Sequence, residues 1–192
     1  MTINLTKGGR INLEKEAPGL ARVSVGLGWD PRETDGADFD LDASVFLLGS
    51  DGKARSEEDF VFYNHAEAQG GAVKHLGDNL TGEGEGDDEV VEIDLGALAT
   101  TDTAIQKLAF VVTIHEAESR NQNFGQVENA FIRIVDQANG KEIVRFDLTE
   151  DYSTETAMIF GELYIKDGQW RFGAVGSGFA GGLSAACAKY GL

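Results

Sequence analysis

The sequence contains little cysteine, little proline and few positive charges. One cysteine among 192 residues, Cys187, excludes an internal disulfide and any metal site built from several thiolates, and this usage is typical of the reducing cytosol. No stretch approaches the roughly 18 consecutive apolar residues of a membrane-spanning helix, and the opening MTINLTKGGR lacks the apolar core of a signal peptide. We therefore expect a cytoplasmic protein with no direct insertion into a membrane.

The scarcity of bases also predicts which ligands are favoured. Thirty-three acidic side chains stand against 16 basic ones, which gives a formal net charge of −17. A field of this sign repels the phosphates of nucleic acids and the headgroups of anionic lipids, so no binding to nucleic acid is expected. Cations are the natural counterpart of such a charge.

Glycine and short strand-forming runs are abundant. The chain has 25 glycines and 2 prolines, and several runs alternate apolar and polar side chains with the period of two that strands require. The runs are Ile3–Leu5, Ala21–Leu27, Leu41–Leu48, Phe60–Tyr63, Val90–Leu95, Leu108–His115, Ala130–Val135, Ile143–Leu148, Met158–Ile165 and Gln169–Val175. With no convincing helix between them, they predict an all-β fold: an antiparallel sandwich of two sheets with about ten strands, formed by residues 1–192 as one domain.

Turn and helix signals refine this prediction. Asp167-Gly168 and Asn139-Gly140 separate successive runs and are typical of β-hairpins. Near the carboxyl terminus the spacing changes to that of one helix face, which predicts a short helix over Leu183–Tyr190 with Cys187 on its buried side.

The acidic residues form clusters, and the first lies just before a predicted strand. Between Asp30 and Asp42 there are six carboxylates and one base, Arg32. In an extended chain Asp38, Asp40 and Asp42 share one side, where they repel one another. A hard divalent cation removes that repulsion, and Ca²⁺ takes roughly six to eight oxygen ligands.

Two further acidic segments supply additional oxygen donors. Between Asp78 and Asp94 there are eight acids and no Lys or Arg, and Asp78-Asn79 adds two neighbouring oxygen donors. Glycine alternates with carboxylate in this segment, which lets a short loop curve around an ion. Glu116 and Glu118 follow directly after the strand Leu108–His115. Because a sandwich gathers its loops at two ends, segments distant in sequence can share one site.

We predict one or two Ca²⁺ ions at such a shared end. The predicted ligands are Asp35, Asp38, Asp40, Asp42, Asp78, Asn79, Asp87, Glu116, Glu118 and Asn123. The site is not an EF-hand: with Asp38 at loop position 1, Ala43 and Gly49 occupy the positions that require glycine and a bidentate glutamate. The three histidines show no ligand spacing, and His115, beside Glu116, is the one of the three that we expect near the metal site.

Several long motifs resemble those of a known family. They are Leu5-Thr6-Lys7-Gly8, Leu27-Gly28-Trp29-Asp30, Asp38-Phe39-Asp40-Leu41-Asp42-Ala43-Ser44, Phe60-Val61-Phe62-Tyr63-Asn64, Gly77-Asp78-Asn79-Leu80-Thr81-Gly82-Glu83-Gly84-Glu85-Gly86-Asp87-Asp88-Glu89, Ile114-His115-Glu116-Ala117-Glu118, Gln122-Asn123-Phe124-Gly125-Gln126-Val127, Thr154-Glu155-Thr156-Ala157-Met158 and Gly181-Gly182-Leu183. Nearly end to end, the chain resembles the TerD family of bacterial tellurite-resistance and stress proteins. The resemblance implies a Ca²⁺-binding β-sandwich without established catalytic activity. It also implies that the protein works alongside other Ter-family stress proteins, some of them in the membrane.

Three functions are compatible with the acidic segments. The first is a Ca²⁺-binding interaction module, in which the metal orders the loops and creates a docking surface. The second is a hydrolase whose carboxylates and metal act on a substrate. The third is a module that binds a membrane surface through bridging Ca²⁺, although no Lys or Arg accompanies the acids between Asp78 and Asp94. We expect the first, a protein that is not an enzyme.

Overall fold

The computed structural model describes residues 2–31, 39–77, 86–148 and 154–192. Thirteen strands lie in these ranges: β1 (Ile3–Leu5), β2 (Arg10–Asn12), β3 (Arg22–Pro31), β4 (Leu41–Leu48), β5 (Phe60–Val61), β6 (Glu67–Ala68), β7 (Val73–His75), β8 (Glu89–Asp94), β9 (Lys107–Ile114), β10 (Val127–Asp136), β11 (Lys141–Asp147), β12 (Ala157–Lys166) and β13 (Gln169–Phe179). The helices are α1 (Leu13–Glu16), α2 (Leu95–Thr101), α3 (Ala117–Arg120) and α4 (Gly182–Tyr190). Within the described ranges, no helix is both long and apolar enough to cross a bilayer.

The strands form two sheets, which confirms the predicted sandwich. A seven-stranded sheet has the order β1-β11-β10-β3-β8-β7-β6, and a six-stranded sheet has the order β2-β13-β12-β9-β4-β5. Every pairing of described strands is antiparallel except that of β1 with β11, which is parallel. The two predicted hairpins, β10–β11 and β12–β13, are both present.

The structure also contains elements that the sequence pattern did not predict. Strands β2, β6 and β7 have two or three residues each, too few to show an alternating pattern. Helix α2 begins at Leu95, which was predicted to be the last residue of a strand. The Asp94 side chain accepts a hydrogen bond from the Ala97 backbone N–H at 2.8 Å, so it caps α2 and ends the strand.

The main core lies between the two sheets. Alternate residues of the central strands point into it, among them Val23, Val25 and Leu27 of β3, each with no exposed surface. Leu41 of β4 is equally buried in the same cluster and comes from the opposite sheet. The period-two pattern therefore identifies the inward faces correctly.

A second, smaller core lies on the outer face of the six-stranded sheet, beneath α4. Phe46 of β4 lies against Tyr190 of α4, with ring centroids 4.6 Å apart. The predicted helix Leu183–Tyr190 is thus confirmed and begins one residue earlier. Cys187 packs against this cluster, and burial, aided by the charge of Glu57, raises the pKa of its thiol. A raised thiol pKa fits a packing role and disfavours a nucleophile.

Candidate metal centre at the acidic end

One end of the sandwich holds described residues from each of the three predicted acidic segments, and we call it the acidic end. Strands β4 and β8 begin there and β9 ends there, with Leu41 of β4 opposite Ile114 of β9. The backbone N–H of His115 donates to the carbonyl of Asp40 at 2.8 Å, so two of the acidic segments are in direct contact.

A buried glutamate joins the two sheets at this end. Glu89, at the start of β8, accepts a hydrogen bond from the backbone N–H of Ala43 in β4 at 2.8 Å. The same oxygen, Oε2, lies 3.0 Å from Nε2 of His75 in β7. Because the N–H of Gly77 donates to Nδ1 of His75, the proton of the neutral ring is on Nε2 and is donated to Glu89. Glu89 therefore fixes the start of β4 relative to β8.

Three predicted ligands line one open cavity of about 520 Å³ on the outer side of the acidic end. They are Asp42, Glu116 and Glu118, and His115 lines the same cavity. The Asp42 side chain is only 10% exposed, and its Oδ2 lies 3.8 Å from Nδ1 of His115. Glu116 has a left-handed backbone with φ of 51°, which turns the chain sharply from the end of β9 into α3. His115 therefore lies beside three of the candidate ligands.

The start of α4 closes one side of this cavity. The hydroxyl of Thr156 accepts hydrogen bonds from the N–H groups of Gly181 and Gly182, at 3.1 and 3.0 Å. Thr156, Gly181 and Gly182 all line the cavity with Asp42. Thr156 therefore anchors the first turn of α4 beside the carboxylates.

Asp87 has a different environment from these residues. Its carboxylate receives two hydrogen bonds from Arg133 of β10, at 2.7 and 3.0 Å. It also packs against Gly26 of β3, on the outer face of the seven-stranded sheet, where a side chain on residue 26 would collide with it. The hydrogen bonds with Asp87 are the main reason that the pKa of Arg133 is raised. The structure thus engages Asp87 in a paired, partly buried contact.

Asn123 also has a structural role. Its side-chain oxygen accepts from the N–H of Gly125, and its own N–H donates to the Gln126 side chain. These bonds form a capping box at the start of the short 3₁₀ helix Phe124–Gln126.

Four predicted ligands, Asp35, Asp38, Asp78 and Asn79, lie outside the described residues. Their described neighbours are at the acidic end: Asp40 contacts His115, and Gly77 contacts His75. Within the described ranges, no group of three His, Cys, Asp or Glu side chains is placed to hold one metal ion.

Glu89, His75 and Thr156 were not among the predicted site residues. The sequence pattern did point to Glu89: it lies two and four positions before Val91 and Ile93, so its side chain belongs to the same inward face of β8. No such pattern pointed to His75 or Thr156, because their partners are distant in sequence and meet only through the sheet topology.

Together, these features define a class of protein: a two-sheet β-sandwich with carboxylates gathered at one end and a helix packed outside one sheet. The TerD domain model matches residues 1–190. The chain belongs to the TerD family, a family of tellurium-resistance and general stress proteins.

Individual relatives agree with this assignment. The chain is 57% identical to Tellurium resistance protein TerD of Serratia marcescens, over 100% of this chain and 98% of the relative. It is 55% identical to General stress protein 16U of Bacillus subtilis (strain 168), with the same coverage of both chains. The crystal structure of a homologue of telluride resistance protein (TerD) from Streptomyces coelicolor A3(2) superposes with a TM-score of 0.70 at 22% identity. That match covers 88% of this chain and 96% of the other, and it supports the fold.

Proposed function

We propose that this member of the tellurium-resistance and stress family is a cytoplasmic, non-catalytic Ca²⁺-binding protein. In this proposal one or two Ca²⁺ ions bind at the acidic end and order it as a docking surface. The partners are other Ter-family stress proteins, some of them in the membrane. The observation that carries the proposal is that Asp42, Glu116 and Glu118, from two separate acidic segments, line one cavity at this end of the sandwich.

The donors at this end suit a hard cation. Asp40, Asp42, Glu116 and Glu118 would contribute from the described residues, together with Asp35, Asp38, Asp78 and Asn79. All of these donors are oxygens, which Ca²⁺ prefers, and the chain has no set of thiolates to attract a softer metal. Bound Ca²⁺ would neutralise the facing carboxylates and hold their loops together.

The charge balance supports the same conclusion. The acidic segments from Asp30 to Asp42 and from Asp78 to Asp94 contain six and eight carboxylates, against the single base Arg32. Like charges that lie close together repel one another, and a divalent cation relieves that repulsion.

A docking role follows from the position of these donors. Loops at the end of a rigid sandwich can become more ordered on binding without disturbing the core, and binding residues commonly lie on such loops. Relatives of this chain include proteins named TerD, TerZ and TerX from one organism, Serratia marcescens, which is consistent with several related proteins acting in one response.

Calorimetric titration of metal-stripped protein with Ca²⁺ and with Mg²⁺ tests the proposal. We expect saturable Ca²⁺ binding with one or two ions per chain. Binding of Mg²⁺ should be much weaker, because Mg²⁺ keeps its waters and demands a tighter octahedron. A flat Ca²⁺ titration would overturn the proposal. For the docking role, Ca²⁺-dependent co-purification with a Ter-family partner is expected, and equal recovery in chelator would contradict it.

A further inference from the structure

A second cavity carries the opposite charge from the acidic end. It has a volume of about 590 Å³ and lies on the outer face of the six-stranded sheet, where β2, β13, β12 and β9 are adjacent. Lys7, Arg10 and Lys107 line it, together with one acid, Glu162. Three of the 16 basic residues of a strongly acidic chain thus line a single cavity.

Strand register brings these side chains into facing positions. Arg10 of β2 is opposite Gly173 of β13, and Gly173 is opposite Glu162 of β12. In a neighbouring row on the same face, Lys107 of β9 is opposite Tyr164 of β12. The cavity therefore has cations on both sides, with Tyr164 and Gly173 between them.

Gly173 keeps the floor of the cavity open, although its backbone does not require glycine. Its φ is outside the left-handed region, and a Cβ there would meet the side chains of Arg10 and Tyr164 at 3.6 Å, an ordinary contact distance. The strand would tolerate a side chain at this position. What the glycine provides is space between Arg10 and Tyr164.

The turn that carries Lys7 is held against the floor. The N–H of Gly8 donates to the carbonyl of Ala174, and the N–H of Ala174 donates to the carbonyl of Gly9, both at 2.9 Å. Gly8 has φ of +81°, which allows the turn. Lys7 and Arg10 therefore flank a turn whose backbone is fixed. Because less of the chain has to become ordered when a ligand binds between them, the entropic cost of binding is lower.

One cation is held in place by the single acid. Nζ of Lys107 lies 2.9 Å from Oε2 of Glu162, and its side chain is 35% exposed. An ammonium group has three donors, so this contact leaves capacity for a ligand. Three basic side chains and one acidic side chain line the cavity, so bases are in excess among its lining residues. At an ionic strength of about 0.1 M the screening length is about 10 Å, so this local charge outweighs the distant acidic end.

We propose that this cavity is a binding site for a small molecule that carries a dianionic oxyanion group, such as a phosphate. The guanidinium of Arg10 supplies paired donors to the oxyanion, while Lys7 and Lys107 supply point charges. The hydroxyl of Tyr164 is an additional donor. The proposal is independent of Ca²⁺ binding, because the cavity shares no residue with the acidic end.

Titration of ¹⁵N-labelled protein with inorganic phosphate tests the site, with metal-stripped protein and with chloride holding the ionic strength constant. We expect saturable shifts of the Gly8, Gly173 and Ala174 amide signals. Sulfate, titrated into protein that has not been stripped of metal, should shift the same amide signals. Arg10→Ala should weaken phosphate binding about tenfold, the usual scale for one charged hydrogen bond. The matched control is Lys141→Ala, which removes an exposed lysine from the other sheet and should bind phosphate like the unchanged protein.

A filling variant provides an independent test. Gly173→Val places a branched side chain on the cavity floor, and we expect it to abolish the phosphate-induced shifts. The melting temperature of Gly173→Val shows whether its sandwich is intact. If the sandwich is not intact, Arg10→Ala decides whether the cavity binds phosphate. Equal phosphate binding by Arg10→Ala and Lys141→Ala would overturn the proposal, as would linear, non-saturating shifts spread over many surface amides.

Discussion

Glu89 and Ala43 belong to different sheets and are joined by a hydrogen bond of 2.8 Å from the Ala43 backbone to the Glu89 carboxylate. His75 donates to the same oxygen, so one buried carboxylate satisfies two donors at the edge of the main core. Ala43 directly follows Asp42, and Glu89 directly follows Asp88. The bond therefore fixes the acidic start of β4 against the acidic loop that leads into β8.

Replacing Glu89 by alanine should lower the free energy of unfolding by about 3 kcal/mol, since it leaves two buried donors without an acceptor. Urea unfolding followed by circular dichroism measures the change. Glu92→Ala is the control: Glu92 lies on the same strand but on its outward face, and its loss should cost less than about 0.5 kcal/mol. A loss for Glu89→Ala as small as that of the control would contradict the structural role.

The sequence predicted the sandwich because its strands are long and regular. The alternation in β3 and β8 identified the inward faces, and Asp167-Gly168 identified a hairpin that the structure contains. Short edge strands such as β6 were missed, because two residues carry no periodicity. The parallel pairing of β1 with β11 could not be predicted either, since it joins segments far apart in the chain.

Acid should weaken the fold through Asp59. Burial alone would raise the pKa of Asp59. Hydrogen bonds from Arg55, at 2.7 and 2.8 Å, lower it by a larger amount, so the net pKa is below its ordinary value. A depressed pKa contributes stability that is complete above the unfolded value, near pH 4, and is lost as the pH falls through the folded value.

The prediction for Asp59→Asn is therefore a loss of stability at pH 7 that shrinks as the pH falls below about 4. Free energies of unfolding measured between pH 7 and pH 2.5, for this variant and for the unchanged protein, check it. Glu57 is exposed and lies in the same short 3₁₀ helix as Asp59, Glu57–Asp59, so Glu57→Gln should keep the pH profile of the unchanged protein. Parallel profiles for Asp59→Asn and the unchanged protein would show that this pair does not control acid stability.

Tyr190 offers a substitution that should not destabilise the fold. Its ring packs on Phe46, but its buried hydroxyl has no hydrogen-bond partner among the described residues, and burial raises its pKa. Tyr190→Phe removes an unsatisfied polar group and keeps the ring, so we expect a gain of up to about 1 kcal/mol. Thermal unfolding measures it, with Tyr190→Ala as the contrasting variant that should lose about 3 kcal/mol or more. A clear loss of stability in Tyr190→Phe would mean that the hydroxyl is bonded.

The candidate site was predictable in composition but only partly in geometry. Clusters of acids with few bases indicated that Asp42, Glu116 and Glu118 belong to one region, and they do line one cavity. Charge patterning gave no sign that Asp87 is paired with Arg133, because Arg133 lies on β10, 46 residues further along the chain. Composition identifies a set of donors, whereas the sheet topology decides their partners.

The proposed ligands can be separated from ordinary surface acids by substitution. Asp40→Asn and Asp78→Asn each remove one negative charge from the acidic end and should weaken Ca²⁺ binding at least tenfold in calorimetric titration, which corresponds to about 1.4 kcal/mol. Glu57→Gln and Glu58→Gln remove the same charge from exposed positions in another turn and should leave the affinity unchanged. Equal weakening by all four substitutions would indicate a diffuse effect of net charge rather than a defined site.

The thermal stability of metal-stripped protein, with and without Ca²⁺, tests the central claim most directly. A ligand that binds only the folded state at about 100 times its Kd adds about 2.7 kcal/mol per site. We therefore predict that millimolar Ca²⁺ raises the melting temperature by several degrees and that a chelator reverses the shift. The shift should shrink between pH 7 and pH 4, because protons compete for the carboxylates, and Mg²⁺ should reproduce little of it. An unchanged melting curve in millimolar Ca²⁺ would contradict the account.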